Sequence, residues 1–130
     1  MITRDQLLTA FQNAVDLKGE DYVYRPFKVA SGSIECVYAK DGEPSCIVGY
    51  AINELDPEAF KKVAEWEKTV HEDSNVSPWG SSDVDAVAAA GLVEFEPDAL
   101  ELAEKVQYMQ DRSEPWGDAL AKAVADTAKV

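Results

Sequence analysis

The segment from Ile47 to Leu55 constrains the fold most, because it is apolar on nearly every face. Its helically spaced apolar residues are Ile47, Val48, Ala51, Ile52 and Leu55. Because this stripe is almost wholly apolar, we expect this short helix at the centre of a core that other elements surround. Gly49 costs this helix about 1 kcal/mol relative to alanine. We therefore expect another backbone, such as a hairpin, to approach Gly49 closely.

Five further segments have the apolar spacing of helices that can surround this one. Thr3 and Gln6 form a capping-box pattern ahead of the first. Asp56 is placed to cap the helix that follows it, with proline at the first helical position. These helices are predicted over 4–18, from Pro57 to about 69, from a cap at Ser81 or Ser82 to Gly91, from Pro97 through Met109, and over about 115–128. Pro44 and Ser45 are predicted to open the central helix.

Three segments have the character of short strands. They are Tyr22–Tyr24, Ile34–Ala39 and Leu92–Glu96, and Asp41-Gly42 is a strong turn signal after the second. The fold class is therefore predicted as α+β and mainly helical, with about six helices packed on a small three-stranded antiparallel sheet. A chain of 130 residues is predicted to be a single globular domain over 1–130.

The net charge of −13 limits the partners of the protein. Residues 54–130 carry most of it, with eighteen of the 25 acidic residues. Such a chain repels phosphate and anionic lipid, so we expect no direct nucleic-acid or membrane binding. It suits a basic protein partner, although an acidic surface also serves solubility alone. The first residues have no apolar run of the signal-peptide kind, so a cytoplasmic location is expected.

Cys46 is the one candidate nucleophile. If Ser45 caps the central helix, Cys46 lies in the first turn, where free N–H groups and the helix dipole favour a thiolate. A nucleophile also needs a base, and the only histidine is His71. The alternative is that Cys46 is a small core residue. The second cysteine, Cys36, could lie near Cys46 across the Asp-Gly turn, but the pair has no known redox spacing.

An acidic cluster is densest at Glu94, Glu96, Asp98 and Glu101. It lacks the ladder of spaced acidic residues with a glycine that builds a calcium loop, and the solvated face of a helix is the better explanation of it. No pair of cysteines or histidines has zinc-ligand spacing, and no glycine-rich phosphate loop occurs. We therefore expect no metal and no cofactor.

Pro78 and Trp79 lie in a polar stretch where no periodicity explains a tryptophan. An exposed tryptophan on a loop is a good interface anchor, because it buries a large area at little entropic cost. The alternative is that Trp79 folds back as a lid on the core. Trp66 and Trp116 fall on apolar helical stripes and are predicted to be core residues.

The stretch from Cys36 to Gly49 contains Asp41-Gly42, Pro44-Ser45 and Cys46-Ile-Val-Gly49 in that order. Together with Tyr22-Val-Tyr24 upstream and Trp116-Gly117 downstream, it resembles a family of small acidic proteins encoded by actinobacterial phages and their hosts. That family has no established activity, so the resemblance implies a setting: a small accessory protein in an actinobacterial cytoplasm, often made by a phage.

Three classes of function follow from these observations. The first is a non-enzymatic accessory protein that acts by protein–protein interaction, with a host protein as partner and with Trp79, Pro78 and the acidic cluster as candidate contacts. The second is an acidic nucleic-acid mimic that inhibits a host DNA-binding or defence protein. The third is an enzyme that uses Cys46 as its nucleophile. The sequence also leaves a homodimer open.

Overall fold

The computed structural model describes residues 1–24, 27–28, 34–35, 38–40, 42–72 and 84–128. Helices make up most of this part of the chain, as the sequence predicts. They are α1 (Arg4–Lys18), α2 (Ile47–Leu55), α3 (Pro57–Glu72), α4 (Val84–Ala89), α5 (Pro97–Asp111) and α6 (Trp116–Thr127). The strands are β1 (Phe27–Lys28), β2 (Ile34–Glu35), β3 (Ala39–Lys40) and β4 (Glu43–Pro44).

The apolar helix α2 lies at the centre of the core, as expected. Its buried residues are Ile47, Val48, Gly49, Ala51 and Ile52, and it packs against α1, α3 and α5. Each fully buried aliphatic side chain contributes about 1.5–3 kcal/mol. The hydrophobic core extends from Ile2 to Ala123 and takes residues from all six of these helices.

The hairpin of β3 and β4 lies directly against α2. Gly42 lies in the turn between the two strands, and its φ of 81° favours glycine. A Cβ atom at Gly49 would overlap the carbonyl oxygen of Tyr38 and would lie 3.0 Å from its carbonyl carbon. The close approach of a hairpin backbone to Gly49 is therefore confirmed, and it explains why a glycine interrupts this helix.

The predicted three-stranded sheet is wrong for the described residues. β1 pairs with β2 and β3 pairs with β4, in two separate antiparallel ladders. Val23 forms a single bridge to Pro115, and Phe95 forms a single bridge to Ile2. Proline has no N–H to donate, so the ladder cannot continue at Pro115, nor at the end of β4.

The helix boundaries agree closely with the sequence patterns. α1 begins with the predicted capping box: Thr3 is the N-cap residue, and its Oγ1 accepts from the Gln6 N–H at 3.1 Å, while Gln6 Oε1 accepts from the Thr3 N–H at 3.0 Å. Asp56 Oδ1 accepts from the Ala59 N–H at 3.1 Å, which confirms its capping role for α3. α3 runs to Glu72, past the predicted end near 69. The predicted caps of α4, Ser81 and Ser82, lie outside the described residues.

Candidate functional site

Cys46 caps α2 and does not lie in its first turn. It is the N-cap residue, and its Sγ accepts a hydrogen bond from the Gly49 N–H at 3.4 Å. The prediction that Ser45 caps this helix was wrong. The Ser45 N–H donates to the Tyr38 carbonyl at 2.9 Å, so the hairpin holds Ser45 and the helix begins one residue later than expected.

The thiol of Cys46 has no exposed surface. A substrate cannot reach the sulfur in this conformation, and the hydrogen bond from Gly49 gives it a role in the fold. These two facts remove the structural support for Cys46 as a nucleophile. Cys36 lies outside the described residues.

A buried carboxylate, which the sequence analysis missed, joins α3 to the hairpin. Glu67 is 4% exposed. Its two oxygens accept from the Tyr38 N–H at 2.8 and 3.1 Å, and one of them also accepts from the Ala39 N–H at 3.1 Å. Backbone N–H groups that would otherwise be buried without an acceptor are thereby satisfied.

Two buried glutamines on α5 perform the same task at the starts of two other helices. Gln110 Oε1 accepts from the Ile47 N–H at 2.9 Å, and Gln107 Oε1 accepts from the Val84 N–H at 2.9 Å. These donors belong to the first residues of α2 and α4, where the helix supplies no acceptor. The Gln107 amide also donates to the Tyr38 hydroxyl at 2.9 Å.

The sequence positions of Glu67 and Gln110 indicated that these polar side chains could be buried. Glu67 follows Phe60 and Val63 at the spacing of the apolar stripe on α3, and Gln110 follows Val106 at the same spacing on α5. A polar residue on an apolar stripe is buried only when it has a partner, so it identifies a buried hydrogen bond. The sequence does not say which backbone the side chain meets.

The predicted acidic cluster lies around the start of α5. Glu94 and Glu101 are exposed, and Glu96 and Asp98 are half-buried. Glu96 takes the N-cap position without a side-chain capping bond, and Asp98 lies in the first turn, where the helix dipole favours a negative charge. The cluster therefore has the geometry of an acidic helix start. Pro78 and Trp79 lie outside the described residues.

An open groove of about 560 Å³ lies between α1 and α6. The two helices are antiparallel, because the Gly117 N–H donates to the Glu20 carbonyl at 3.0 Å at one end, and Arg4 Nη1 donates to Thr127 Oγ1 at 2.9 Å at the other. The lining residues are Leu8, Gln12, Val15, Glu20, Asp21, Gly117, Asp118, Leu120, Ala121 and Val124. The floor is aliphatic, and three carboxylates lie where α1 ends and α6 begins.

The surface of the described part is acidic. Nineteen of the 25 acidic side chains and seven of the 12 basic ones are described, and all of these acidic side chains except Glu67 are at least partly exposed. Within the described residues, no group of histidine, cysteine and carboxylate side chains is placed to hold a metal ion. No helix in these ranges is both long and apolar enough to cross a bilayer.

No family model matches the sequence, and no curated protein or solved structure matches it either. The resemblance to the proteins of actinobacterial phages therefore stays a prediction.

Proposed function

We propose that this is a non-enzymatic protein that acts by binding a partner protein with a basic surface. The acidic surface of the described residues is the observation that carries the proposal. An excess of exposed carboxylates attracts a cationic partner and speeds its association, and it repels phosphate groups. Direct binding to nucleic acid or to an anionic membrane is therefore not part of the proposal.

The hydrogen bonds of the buried polar side chains support the non-enzymatic part of this proposal. Glu67, Gln107 and Gln110 each accept from backbone N–H groups, and the sulfur of Cys46 does too. These groups stabilise the packing of helices and hairpin. We accordingly do not propose an enzyme that uses Cys46 as its nucleophile.

The biological setting is proposed from the sequence resemblance. In that setting, the protein is a phage-encoded accessory protein that acts on a host protein in the cytoplasm of an actinobacterial cell. The contacts proposed from the sequence are Trp79, Pro78, Glu94, Glu96, Asp98 and Glu101.

The nucleic-acid mimic remains the main alternative, and it makes a different demand on the surface. A mimic needs two rows of carboxylates at the spacing of DNA phosphates. The described carboxylates are spread over α1, α2, α3, α5 and α6 and the turns between them. This spread gives the mimic no support, so we do not adopt it.

Capture of host proteins at two ionic strengths tests the proposal. Tagged protein is incubated with actinobacterial lysate at about 0.05 M and about 0.3 M NaCl, between which the electrostatic screening length falls from about 14 Å to about 6 Å. We expect one basic protein to be retained at both salt concentrations, in smaller amount at the higher one. Loss of that protein with Trp79→Ala, or with Glu94→Gln/Glu101→Gln, would locate the contact. Retention of no protein, or only of proteins without a basic surface, would contradict the proposal. A set of DNA-binding proteins that all dissociate at the higher salt would favour the mimic.

A further inference from the structure

The groove between α1 and α6 has the dimensions of a helix-binding site. Its lining positions on α1 run from Leu8 to Val15, and those on α6 run from Gly117 to Val124. Seven residues of helix span about 10 Å, which is about two helical turns. The walls are held at both ends by the hydrogen bonds described above, so the groove is preformed.

The floor of the groove presents apolar surface that the core does not cover. Val15 and Leu120 are buried at 1% and 5% exposure, whereas Leu8 and Val124 are half-buried. Ala121, on the rim, is exposed and small, so a partner's backbone can come close to this wall. An amphipathic helix that lays its apolar face into a groove needs this combination of features.

The charge of the groove specifies the chemistry of the occupant. Glu20, Asp21 and Asp118 are all exposed, and none of the basic side chains that the structure describes lines the groove. Glu20 and Asp21 follow the C-terminal end of α1, where the helix dipole adds negative potential. The nearby cation Lys18 lies over the rings of Tyr22 and Tyr50 at 5.4 and 5.5 Å.

We propose that this groove binds one face of a basic amphipathic helix belonging to the partner protein. Aliphatic side chains on successive turns of that helix fill the space over Leu8 and Val124, and its Lys or Arg side chains pair with Glu20, Asp21 and Asp118. A second copy of this chain fits less well, because dimerisation through the groove brings like charges together. The inference rests on the proposed function. It adds a second binding surface, which includes none of the contacts proposed from the sequence, and it specifies a helical segment of the partner.

The test uses synthetic peptides of about 14 residues, which span about 20 Å as helices. One peptide has leucine at helical spacing and lysine on the opposite face, a second has the same composition in scrambled order, and a third has glutamate in place of lysine. Binding is measured by fluorescence anisotropy. We expect the first peptide to bind at least about tenfold more tightly than either control, a difference of about 1.4 kcal/mol.

Matched variants place the binding in the groove. Ala121→Gln narrows it without changing the charge, and Ala125→Gln makes the same change on an exposed position of α6 that does not line the groove. We expect Ala121→Gln to weaken binding of the leucine–lysine peptide by about tenfold and Ala125→Gln to leave it unchanged. Circular dichroism confirms that both variants remain helical.

A second pair of variants tests the carboxylates. Asp21→Asn/Asp118→Asn removes two charges from the groove, and Asp5→Asn/Glu58→Gln removes two exposed charges elsewhere. We expect only the first double variant to weaken binding severalfold, and this difference to shrink at high salt. Equal binding of the scrambled peptide, or equal effects within either pair of variants, would overturn the inference.

The inference and the proposed function fail separately. If a basic host protein is captured equally by Ala121→Gln and the unsubstituted protein, the groove is not the binding surface but the proposed function stands. If the unsubstituted protein retains no basic partner, the proposed function itself fails.

Discussion

Glu67 offers the sharpest test of how this fold is held together. Its carboxylate is the acceptor for the Tyr38 and Ala39 N–H groups, so it attaches the hairpin to α3. The backbone of Tyr38 also lies against Gly49 of α2, and the Tyr38 hydroxyl accepts a hydrogen bond from Gln107 Nε2 on α5. We expect substitution of Glu67 to loosen the hairpin from three helices at once.

The expected loss in the free energy of unfolding follows from the two backbone donors that Glu67 accepts from. A hydrogen bond to a charged acceptor contributes about 1.5–3 kcal/mol and a neutral one about 0.5–1.5 kcal/mol, so Glu67→Gln should cost about 2 kcal/mol over two donors. Glu67→Leu leaves both N–H groups buried without an acceptor, at about 1–3 kcal/mol each, or about 4 kcal/mol in total. Removing a buried ion pair is sometimes neutral because both charges disappear together. The Tyr38 and Ala39 N–H groups are backbone donors and stay in place in the variant, so the cost of leaving these two donors without an acceptor remains.

Urea denaturation followed by far-ultraviolet circular dichroism measures this difference. With a slope of about 2 kcal/mol per molar urea, Glu67→Gln should lower the midpoint by about 1 M and Glu67→Leu by about 2 M. Glu58→Gln, on the same helix, is the matched control, because the Glu58 side chain is 80% exposed and its ion pair with Lys61 is 3.5 Å long. We expect it to change stability by less than about 0.5 kcal/mol. If Glu67→Leu is as stable as the control, the carboxylate does not hold the hairpin and the reasoning is refuted.

Three further predictions test neighbouring parts of the same packing. Gly49→Ala should lose about 2 kcal/mol or more in urea denaturation, although alanine is the better helix former, because its Cβ meets the hairpin backbone; a gain in stability would contradict the close approach. Gln110→Leu should cost about 1–3 kcal/mol, because the Ile47 N–H at the start of α2 loses its acceptor, and an unchanged midpoint would argue against this bond. In the Cys36→Ser protein, the remaining thiol of Cys46 should react with a disulfide reagent only in urea, and stoichiometric reaction in native buffer would show that the sulfur is accessible.

The helices were largely predictable because their signals are local. Residues within four positions of one another supply the capping box at Thr3 and Gln6, the cap at Asp56 and the apolar spacing of each stripe. The same holds for Gly49, where a costly glycine in an apolar helix indicated a close backbone contact that the structure confirms. A local pattern can show that a contact exists.

The strands and the start of α2 were not predictable in the same way. β-propensity describes a residue that suits a pleated, half-buried surface, and whether a ladder forms depends on what lies beside it. Val23 has only Pro115 opposite it, so a β-prone segment forms a single bridge. Ser45 is a better capping residue than cysteine by propensity, but the bond from its N–H to the Tyr38 carbonyl keeps it in the hairpin, and Cys46 becomes the cap.

The groove could not be predicted because core and groove residues share one pattern. Leu8 lies on the apolar stripe of α1, and Val124 lies on that of α6, so apolar spacing alone would place both in the core. The structure leaves both half-buried, since they line the open groove between α1 and α6. Composition and tertiary structure thus supply different parts of the functional proposal. In that proposal, the excess of carboxylates is the reason for a cationic partner, and the groove between α1 and α6 is the reason for a partner with an apolar helical face.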